Sequence, residues 1–275
     1  LMKKKHRNIV VISFQSNVIS IIISNIFNNK IIVRLNTSPK KYVNNLFKKY
    51  FYKFIYKLSD EIIVNCKEFK KQIDNLFSLK SVVIYNFIKK IKIQKTKKKS
   101  KSLRLINIGR LTEQKDHITL LKAVKIIKKE LNYELTIIGN GHLFSDIKKF
   151  INTNKLKKIK LIKNTDNPYK EIIKSDLFIL TSKYEGMPNV LIEALQCKTY
   201  IIAANCPTGP RELLNNGKYG TLFKVGDYTQ LAKRIIEFSQ NKSSFNKKIN
   251  SGYKSLNRFD NKNNLIKFLK IIYSL

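Results

Sequence analysis

Residues 185–193 read Glu-Gly-Met-Pro-Asn-Val-Leu-Ile-Glu, and this stretch decides the fold. The apolar run before it, 177–182, predicts a buried strand, and the residues after it predict a helix. Pro188 suits the first helical position, where its missing N–H would have no helical partner in any case. A strand, a tight turn and a helix in this order are typical of an open parallel sheet. Such sheets bind their ligands in the loops at the carboxyl ends of the strands.

The two acids of this stretch have different expected roles. Glu185 lies in the loop that leaves the predicted strand. Glu193 falls about one turn into the helix, where its carboxylate can accept two hydrogen bonds from a vicinal diol such as a ribose. The backbone N–H groups of Gly186 and Met187 face the helix N-terminus and can receive a phosphate or a sugar hydroxyl. The stretch therefore predicts a nucleotide-sugar site.

Four motifs in order carry a family resemblance. They are Asn-Ile-Gly-Arg-Leu-Thr-Glu-Gln-Lys-Asp-His at 107–117, Ile-Ile-Gly-Asn-Gly at 137–141, the acid motif extended to 185–195, and Asn-Cys-Pro-Thr-Gly-Pro-Arg-Glu at 205–212. Together they resemble the retaining glycosyltransferases of family 4, which have the GT-B fold. The resemblance extends from about Asn8 to the C-terminus. The fourth motif is similar to a variant common among enzymes that build bacterial surface polysaccharides such as lipopolysaccharide or capsule.

The resemblance implies roles for individual residues. Arg110 and Lys115 would bind the donor's diphosphate and neutralise the departing charge in place of a metal ion, because no paired Asp motif is present to hold one. Glu185 would contact the donor sugar near the reacting carbon. Arg110, Lys115 and Glu185 are therefore the catalytic candidates. No cofactor is expected. The donor-binding candidates are Gly109, Asn140, Gly141, Gly186, Met187, Pro188, Asn189, Glu193, Thr208 and Gly209.

Several of these candidates also have a simple structural explanation. Asn140 and Gly141 fit a plain turn equally well. Thr208 and Gly209 fit the cap of a helix that starts at Pro210. Glu193 could be an exposed helical acid, although only 18 acids stand against 55 bases in this chain. His117 and His142 are expected at the surface or as capping residues.

The net charge of +37 suggests a nucleic acid or an anionic membrane as partner. The alternative is that the excess of Lys, Asn and Ile reflects an AT-rich genome that fills tolerant surface positions. Only seven of the 55 basic residues are Arg, whereas a base-reading protein would favour Arg forks. Specific nucleic-acid binding is therefore ranked last. Attraction to an anionic membrane surface is expected from the field alone.

Cysteine and hydropathy patterns favour the cytosol. Cys66, Cys197 and Cys206 are odd in number and show no paired spacing, which indicates reduced thiols. The apolar stretch 18–26 is too short and too polar to span a bilayer. We therefore expect a cytoplasmic protein, peripheral at the inner face of the membrane.

The domain organisation follows from one charged segment. Residues 89–101 hold eight lysines and predict a solvated linker. It separates a partial N-terminal domain, 1–88, from a nucleotide-sugar-binding domain, 102–260. Residues 261–275 predict a helix that, by resemblance, packs back on the first domain.

Both domains show strands that alternate with helices, which predicts α/β, doubly wound domains with parallel sheets. In the first, strands are predicted at 9–14, 31–35, 61–65 and 81–85, with a helix over 42–58. In the second, they centre on residues 105, 135, 161, 179, 201 and 223. The resemblance implies a GT-B arrangement of the two domains, with the N-terminal one incomplete because its first strands and glycine-rich loop have no counterpart.

Two residues depart from the family pattern. Lys163 stands where the family has a glycine near the nucleobase, and Phe87 stands where it usually has Pro. The expected activity is transfer of a hexose or N-acetylhexosamine from a nucleotide sugar, UDP-linked by preference, to a glycan or a polyprenyl-diphosphate-linked acceptor. The alternatives are an inactive, truncated remnant that still binds nucleotide sugar, and a basic nucleic-acid-binding protein.

Overall fold

The computed structural model describes residues 9–39, 42–89, 91 and 100–275. It divides into two compact units. The first comprises the described residues up to Phe87 together with Phe259–Leu275, and the second runs from Ile88 to Arg258. Most of the expected linker, residues 90 and 92–99, lies outside the described residues.

Strands and helices alternate through both units. The strands are β1 Val10–Ser13, β2 Lys30–Leu35, β3 Glu61–Val64, β4 Val82–Val83, β5 Leu103–Ile108, β6 Tyr133–Ile138, β7 Ile159–Ile162, β8 Leu177–Leu180, β9 Tyr200–Ala204 and β10 Thr221–Phe223. The helices are α1 Asn17–Ile26, α2 Leu46–Lys57, α3 Lys67–Phe77, α4 His117–Ile127, α5 Phe144–Thr153, α6 Pro168–Lys174, α7 Asn189–Gln196, α8 Pro210–Leu213, α9 Tyr228–Gln240, α10 Asn246–Lys254 and α11 Asn261–Tyr273. Short 3-10 turns occupy Lys242–Phe245 and Ser255–Phe259.

The first unit is a parallel sheet covered by helices. Its strand order is β1-β2-β3-β4. Ile32, Ile63 and Ile84 are fully buried, and α11 packs its Phe268 and Ile271 against them, with Ile272 and Leu275 alongside. The last helix of the chain thus completes the core of the first unit.

The second unit is a doubly wound parallel sheet with the order β10-β9-β8-β5-β6-β7. The chain builds outward from β5 on one side through β6 and β7, then returns to add β8 on the other side. The winding direction therefore reverses between β5 and β8, and such a switch point is where open α/β sheets bind ligands. All four residues of β8 are buried, and Asn107 on β5 donates from Nδ2 to the Ile179 carbonyl at 2.8 Å.

Side-chain caps explain where two predicted helices begin. The helix predicted over 42–58 starts at Leu46, because Asn45 has extended backbone angles and accepts a hydrogen bond from Lys48 N. The last helix starts at Asn261, where Asp260 accepts from Asn263 N. Within the described residues, no helix has the length and apolar character needed to cross a membrane.

An ion pair joins β5 to the start of β8 at the end of the sheet opposite the switch loops. Asp176 accepts from Arg104 N at 3.0 Å and lies 3.2 Å from Arg104 Nη2, while its own N–H donates to the Arg104 carbonyl. Burial raises the pKa of the Asp176 carboxyl, but the hydrogen bonds from Arg104 and the charges of Lys242 and Arg104 outweigh it, so the net pKa is lowered.

We expect Asp176→Asn to lower the unfolding midpoint, at a cost of about 1–3 kcal/mol at neutral pH, since the lost bonds involve a charged group. Because folding lowers this pKa, the contribution is complete above the unfolded value of about 3.9 and is lost as the pH falls through the folded value. Thermal unfolding as a function of pH is the measurement, with Asp166→Asn on an exposed loop as control. If the difference in unfolding midpoint between Asp176→Asn and wild type did not shrink as the pH falls, this prediction would be contradicted.

Candidate functional site

Two loops meet at the switch point of the second sheet. One follows β5 and spans residues 109–116, and the other follows β8 and spans residues 181–188. Lys183 N donates to the Gln114 carbonyl at 2.8 Å, and Gln114 Nε2 donates to the Tyr184 carbonyl at 3.0 Å. Thr181 Oγ1 donates to the Lys115 carbonyl at 2.8 Å. These bonds hold the loops in one arrangement.

The charged centre of the two loops is an ion pair. Lys115 Nζ lies 2.6 Å from Glu185 Oε1, and the two side chains are only 14% and 8% exposed. The Lys115 stem runs along Gly109, where a Cβ would lie 3.3 Å from Lys115 Cδ. Two catalytic candidates separated by 70 residues are therefore in direct contact.

A third loop, after β9, packs against the backbone of the loop that carries Glu185. Thr208 is fully buried and donates its hydroxyl to the Glu185 carbonyl. Gly209 has φ +79°, and a Cβ there would lie 1.8 Å from the Gly186 carbonyl oxygen. Burial, and secondly the charge of Glu185, raise the pKa of the Cys206 thiol to about 12, so this thiol is neutral. The predicted residues Thr208 and Gly209 thus shape the Glu185 loop.

A fourth loop, after β6, packs against the first. A Cβ on Gly139 would lie 1.9 Å from the Gly109 carbonyl oxygen, and one on Gly141 would lie 2.3 Å from the Leu111 carbonyl oxygen. The Asn140 carbonyl accepts from Leu111 N, and the Asn140 side chain accepts at Oδ1 from Gly141 N. The structure brings Gly109, Asn140 and Gly141 together at one sheet edge.

The acid helix begins one residue later than predicted. Pro188 is the N-cap of α7, with φ −75° and ψ 107°, and Asn189 is the first helical residue. The prediction that Pro188 takes the first helical position was wrong, because its backbone is extended and carries the turn from the strand. Met187 is buried beside it.

The second acid of the motif, Glu193, has a different environment from Glu185. It is half-buried on α7, and its carboxylate forms no ion pair with the residues that the structure describes. Burial raises the pKa of this carboxyl above its usual value. A partly desolvated carboxylate without a cation is stabilised by hydroxyl donors, which a diol supplies.

Arg110 directly follows Gly109 at the end of β5. Its side chain is exposed and pairs with no carboxylate of the described part of the chain. Arg110 therefore differs from Lys115, since its guanidinium is open to an anion from solution, whereas Lys115 is already paired.

His117 was expected at the surface or in a cap, and this was wrong. It is the first residue of α4, is 1% exposed, and neither of its ring nitrogens has a hydrogen-bond partner among the described residues. Burial first, and then the charge of Lys115, lower the pKa of His117 to about 4, so the ring is neutral. The signal available in the sequence was its position between the capping Asp116 and the apolar residues Ile118, Leu120 and Leu121. His142 is exposed, with Nε2 2.9 Å from Glu113 Oε1.

Metal-ligating residues do not converge in this structure. Within residues 9–39, 42–89, 91 and 100–275, no three His, Cys, Asp or Glu side chains are placed to hold a metal ion. Cys66, Cys197 and Cys206 are buried. Arg110, Lys115 and Glu185 carry charge in the loops that follow β5 and β8.

The family model described as glycosyl transferases group 1 matches residues 88–255. The chain belongs to this family. The match covers the whole of the second sheet and all the loops described above.

Curated relatives of this glycosyltransferase chain come from archaea and bacteria. An uncharacterized glycosyltransferase of Methanocaldococcus jannaschii is 33% identical over 72% of this chain and 56% of its own length. The N-acetylgalactosamine-N,N'-diacetylbacillosaminyl-diphospho-undecaprenol 4-alpha-N-acetylgalactosaminyltransferase of Campylobacter jejuni is 26% identical over 90% of this chain and 72% of its own length. The chain therefore spans little more than half of the first relative.

Solved structures of other proteins superpose on this chain and have the same α/β fold. Anabaena HepE in complex with UDP superposes with a TM-score of 0.80 at 18% identity, covering 97% of this chain and 79% of HepE. The pneumococcal O-GlcNAc transferase GtfA, in complex with UDP and GlcNAc, also gives 0.80 at 19% identity, covering 96% and 56%. At this identity the likeness establishes the α/β fold with parallel sheets seen in GT-B glycosyltransferases.

The contact between Gly209 and Gly186 predicts the outcome of a matched pair of substitutions. Gly209→Ala and Gly226→Ala both place a side chain at nearly the same positive φ, +79° and +78°. A side chain at positive φ costs about 1 kcal/mol or more at either position. Only at position 209 does the new Cβ collide with backbone, since Gly226 has nothing within 4 Å among the described residues.

We therefore expect Gly209→Ala to lower the unfolding midpoint well beyond Gly226→Ala, and thermal unfolding of the two variants measures this. Equal midpoints would show that the loops after β8 and β9 do not pack as described.

Proposed function

We propose that this glycosyltransferase chain moves a hexose or N-acetylhexosamine from a nucleotide sugar, UDP-linked, to a glycan or lipid-linked acceptor. The anomeric configuration of the donor would be retained, as in family 4. The observation that carries the proposal is the buried Lys115–Glu185 pair at the switch point, with Arg110 and Glu193 on the flanking segments. The UDP present in the HepE and GtfA structures supports the choice of donor.

The cations would act on the donor's diphosphate. An ammonium group has three N–H donors, and Lys115 uses one of them on Glu185 at 2.6 Å. The others can turn to phosphate oxygens, and the exposed Arg110 guanidinium can bind the same group through two parallel bonds. Both charges would stabilise the nucleoside diphosphate as it leaves, which is where negative charge develops. No metal ion is then required.

The acids would position the rest of the donor. Glu193, half-buried and without a cation in the described structure, would accept hydrogen bonds from the ribose hydroxyls. Glu185 would hold Lys115 and contact ring hydroxyls of the sugar near the reacting carbon. The Thr208 and Gly209 contacts fix the Glu185 loop, so this carboxylate would be in position before the donor binds.

The acceptor side of the proposal rests on relatives and on charge. The name of the Campylobacter relative includes a diphospho-undecaprenol acceptor, which supports a lipid-linked acceptor for this chain. We therefore propose a cytoplasmic enzyme, peripheral at the inner membrane face and active in surface polysaccharide or glycoconjugate synthesis. The net charge of +37 would attract it to anionic lipid without preference for a nucleic-acid sequence. Lys3–Lys5 and the linker lysines except Lys89 and Lys101 lie outside the described residues.

The first test is nucleotide binding without metal. We expect calorimetry to detect UDP binding in the presence of a chelator, because Arg110 and Lys115 supply the positive charge. UDP should bind more tightly than GDP or ADP. Binding abolished by the chelator would refute the metal-free proposal, and preference for GDP would refute the choice of base.

The second test separates the two acids. Glu193→Ala should weaken UDP binding by roughly 1.5–3 kcal/mol, the range for hydrogen bonds to a charged group. Glu185→Ala removes the partner that holds Lys115 but also the anion that competes with phosphate for its ammonium group, so UDP affinity should change much less than in Glu193→Ala, whereas affinity for the whole sugar nucleotide should fall. Glu134→Ala, at an exposed position on β6, is the control and should change neither. Equal loss of UDP in both acid variants would contradict the proposed division of roles.

A further inference from the structure

The chain contains two Asn-Gly dipeptides, Asn140-Gly141 and Asn216-Gly217, and both belong to the second unit. In such a pair the Asn side chain can react with the next backbone nitrogen, because glycine has no side chain to block the close approach. Both Asn residues are exposed. The hydrogen bonds of the two glycine N–H groups differ, and this difference decides which Asn reacts.

The side chain of Asn140 is folded onto the N–H group of the following residue. Gly141 N donates to Asn140 Oδ1 at 2.9 Å, and the side-chain carbon Cγ is one bond away from this oxygen. No backbone carbonyl of the residues that the structure describes accepts a hydrogen bond from Gly141 N. The nitrogen and the carbon that would react are therefore adjacent, and no main-chain hydrogen bond has to break before they combine.

The backbone around Asn216 is held on both sides. Gly217 N donates to the Leu214 carbonyl at 3.1 Å, and Asn216 N donates to the Arg211 carbonyl at 2.9 Å. The reaction of Gly217 N with the Asn216 side chain requires the first of these bonds to open. The fold thus protects one Asn-Gly dipeptide and leaves the other ready to react.

We propose that Asn140 is a site of spontaneous modification, at which an isoaspartyl linkage forms and disrupts the loop after β6. Gly141 N gives its proton to a base in the solvent and forms a bond to Asn140 Cγ. The bond from Cγ to Nδ2 breaks, and the nitrogen takes up a proton and leaves as ammonia. Water then opens the resulting cyclic imide at one of its two carbonyl carbons, which yields isoaspartate or Asp. The net change consumes one water and releases one ammonia.

The isoaspartyl product does not fit the packing of this loop. Leu111 N donates to the Asn140 carbonyl at 2.9 Å, and a Cβ on Gly141 would lie 2.3 Å from the Leu111 carbonyl oxygen. In isoaspartate the main chain runs through the former side chain and gains a methylene group. The carbonyl that accepts from Leu111 N becomes a free carboxylate. The loop after β5 then has to move.

Arg110 directly precedes Leu111, so this movement displaces a residue that we propose binds the donor's diphosphate. The new carboxylate also brings negative charge to this part of the site. We therefore expect the modified chain to bind UDP more weakly. This consequence rests on the proposed function, whereas the reaction at Asn140 and the loss of loop packing do not.

The first experiment compares the two dipeptides within one molecule. The chain is incubated at mildly alkaline pH, and peptide mapping by mass spectrometry follows the replacement of NH2 by OH at each Asn. We expect Asn140 to convert about fivefold faster than Asn216 or more, the factor for opening one backbone hydrogen bond. In urea the two rates should become nearly equal, because the hydrogen bonds that distinguish the dipeptides are lost.

The second experiment measures what the modification does to the protein. Asn216→Gly removes the slower site without strain, since Asn216 has φ +52°. The incubated variant is separated by ion exchange into unmodified and isoaspartyl fractions. We expect the isoaspartyl fraction to unfold at a lower temperature and to bind UDP several-fold more weakly. Asn140→Asp, which has the charge on a main chain of normal length, should lose less unfolding midpoint than the isoaspartyl fraction.

Three results would overturn the proposal. They are equal rates at the two dipeptides in the folded chain, a ratio of rates that stays the same in urea, and an isoaspartyl fraction with the same unfolding midpoint as the unmodified one. A fresh chain that binds no UDP would instead refute the proposed donor. The rates and the midpoints would still decide the modification at Asn140, because neither measurement requires a nucleotide.

Discussion

The ion pair between Lys115 and Glu185 is the interaction on which the site depends. It joins the loops after β5 and β8 at the place where the winding of the sheet reverses. The same two strands are joined at their other end by Arg104 and Asp176. The central strands are thus held at both ends, and the Lys115–Glu185 pair lies at the end where open α/β sheets bind their ligands. The opposite charges of Lys115 and Glu185 balance each other, and in the proposed function the donor's diphosphate would add a second anion for the ammonium group to bind.

Three glycine contacts allow the loops to come this close. Gly139 meets the Gly109 carbonyl, Gly141 meets Leu111, and Gly209 meets the Gly186 carbonyl, each at a distance that excludes a Cβ. The loops of four neighbouring strands, β6, β5, β8 and β9, therefore pack backbone to backbone. This packing fixes the loop that carries Glu185 and leaves the side chains of Arg110 and Glu193 free of ion pairs in the described structure. The charge that makes the chain so basic lies mostly elsewhere, on lysines outside these loops.

Much of this could be predicted from the sequence, because apolar runs and alternation specify strands regardless of distant contacts. The strands predicted around residues 105, 135, 179 and 201 are observed, and the α/β class with parallel sheets is confirmed. Residues in the loops at the carboxyl ends of the strands could also be recognised in the sequence as candidate site residues.

The errors have a common cause, since they depend on backbone angles or on contacts across the sheet. Pro188 caps the helix instead of entering it, and His117 is buried at the first position of α4. The contact of Gly209 with Gly186 also required coordinates. Apolar spacing near 3.6 residues predicts a helix but does not tell which of its sides the fold will cover.

A crystal structure of the chain with a UDP-sugar would test the central claim most directly. We expect the diphosphate to contact Arg110 and Lys115, and the ribose hydroxyls to bind the Glu193 carboxylate. The sugar ring should lie beside Glu185, with no metal ion in the site. A nucleotide bound away from the loops after β5 and β8, or a diphosphate held by a metal ion with Lys115 still paired only to Glu185, would contradict it.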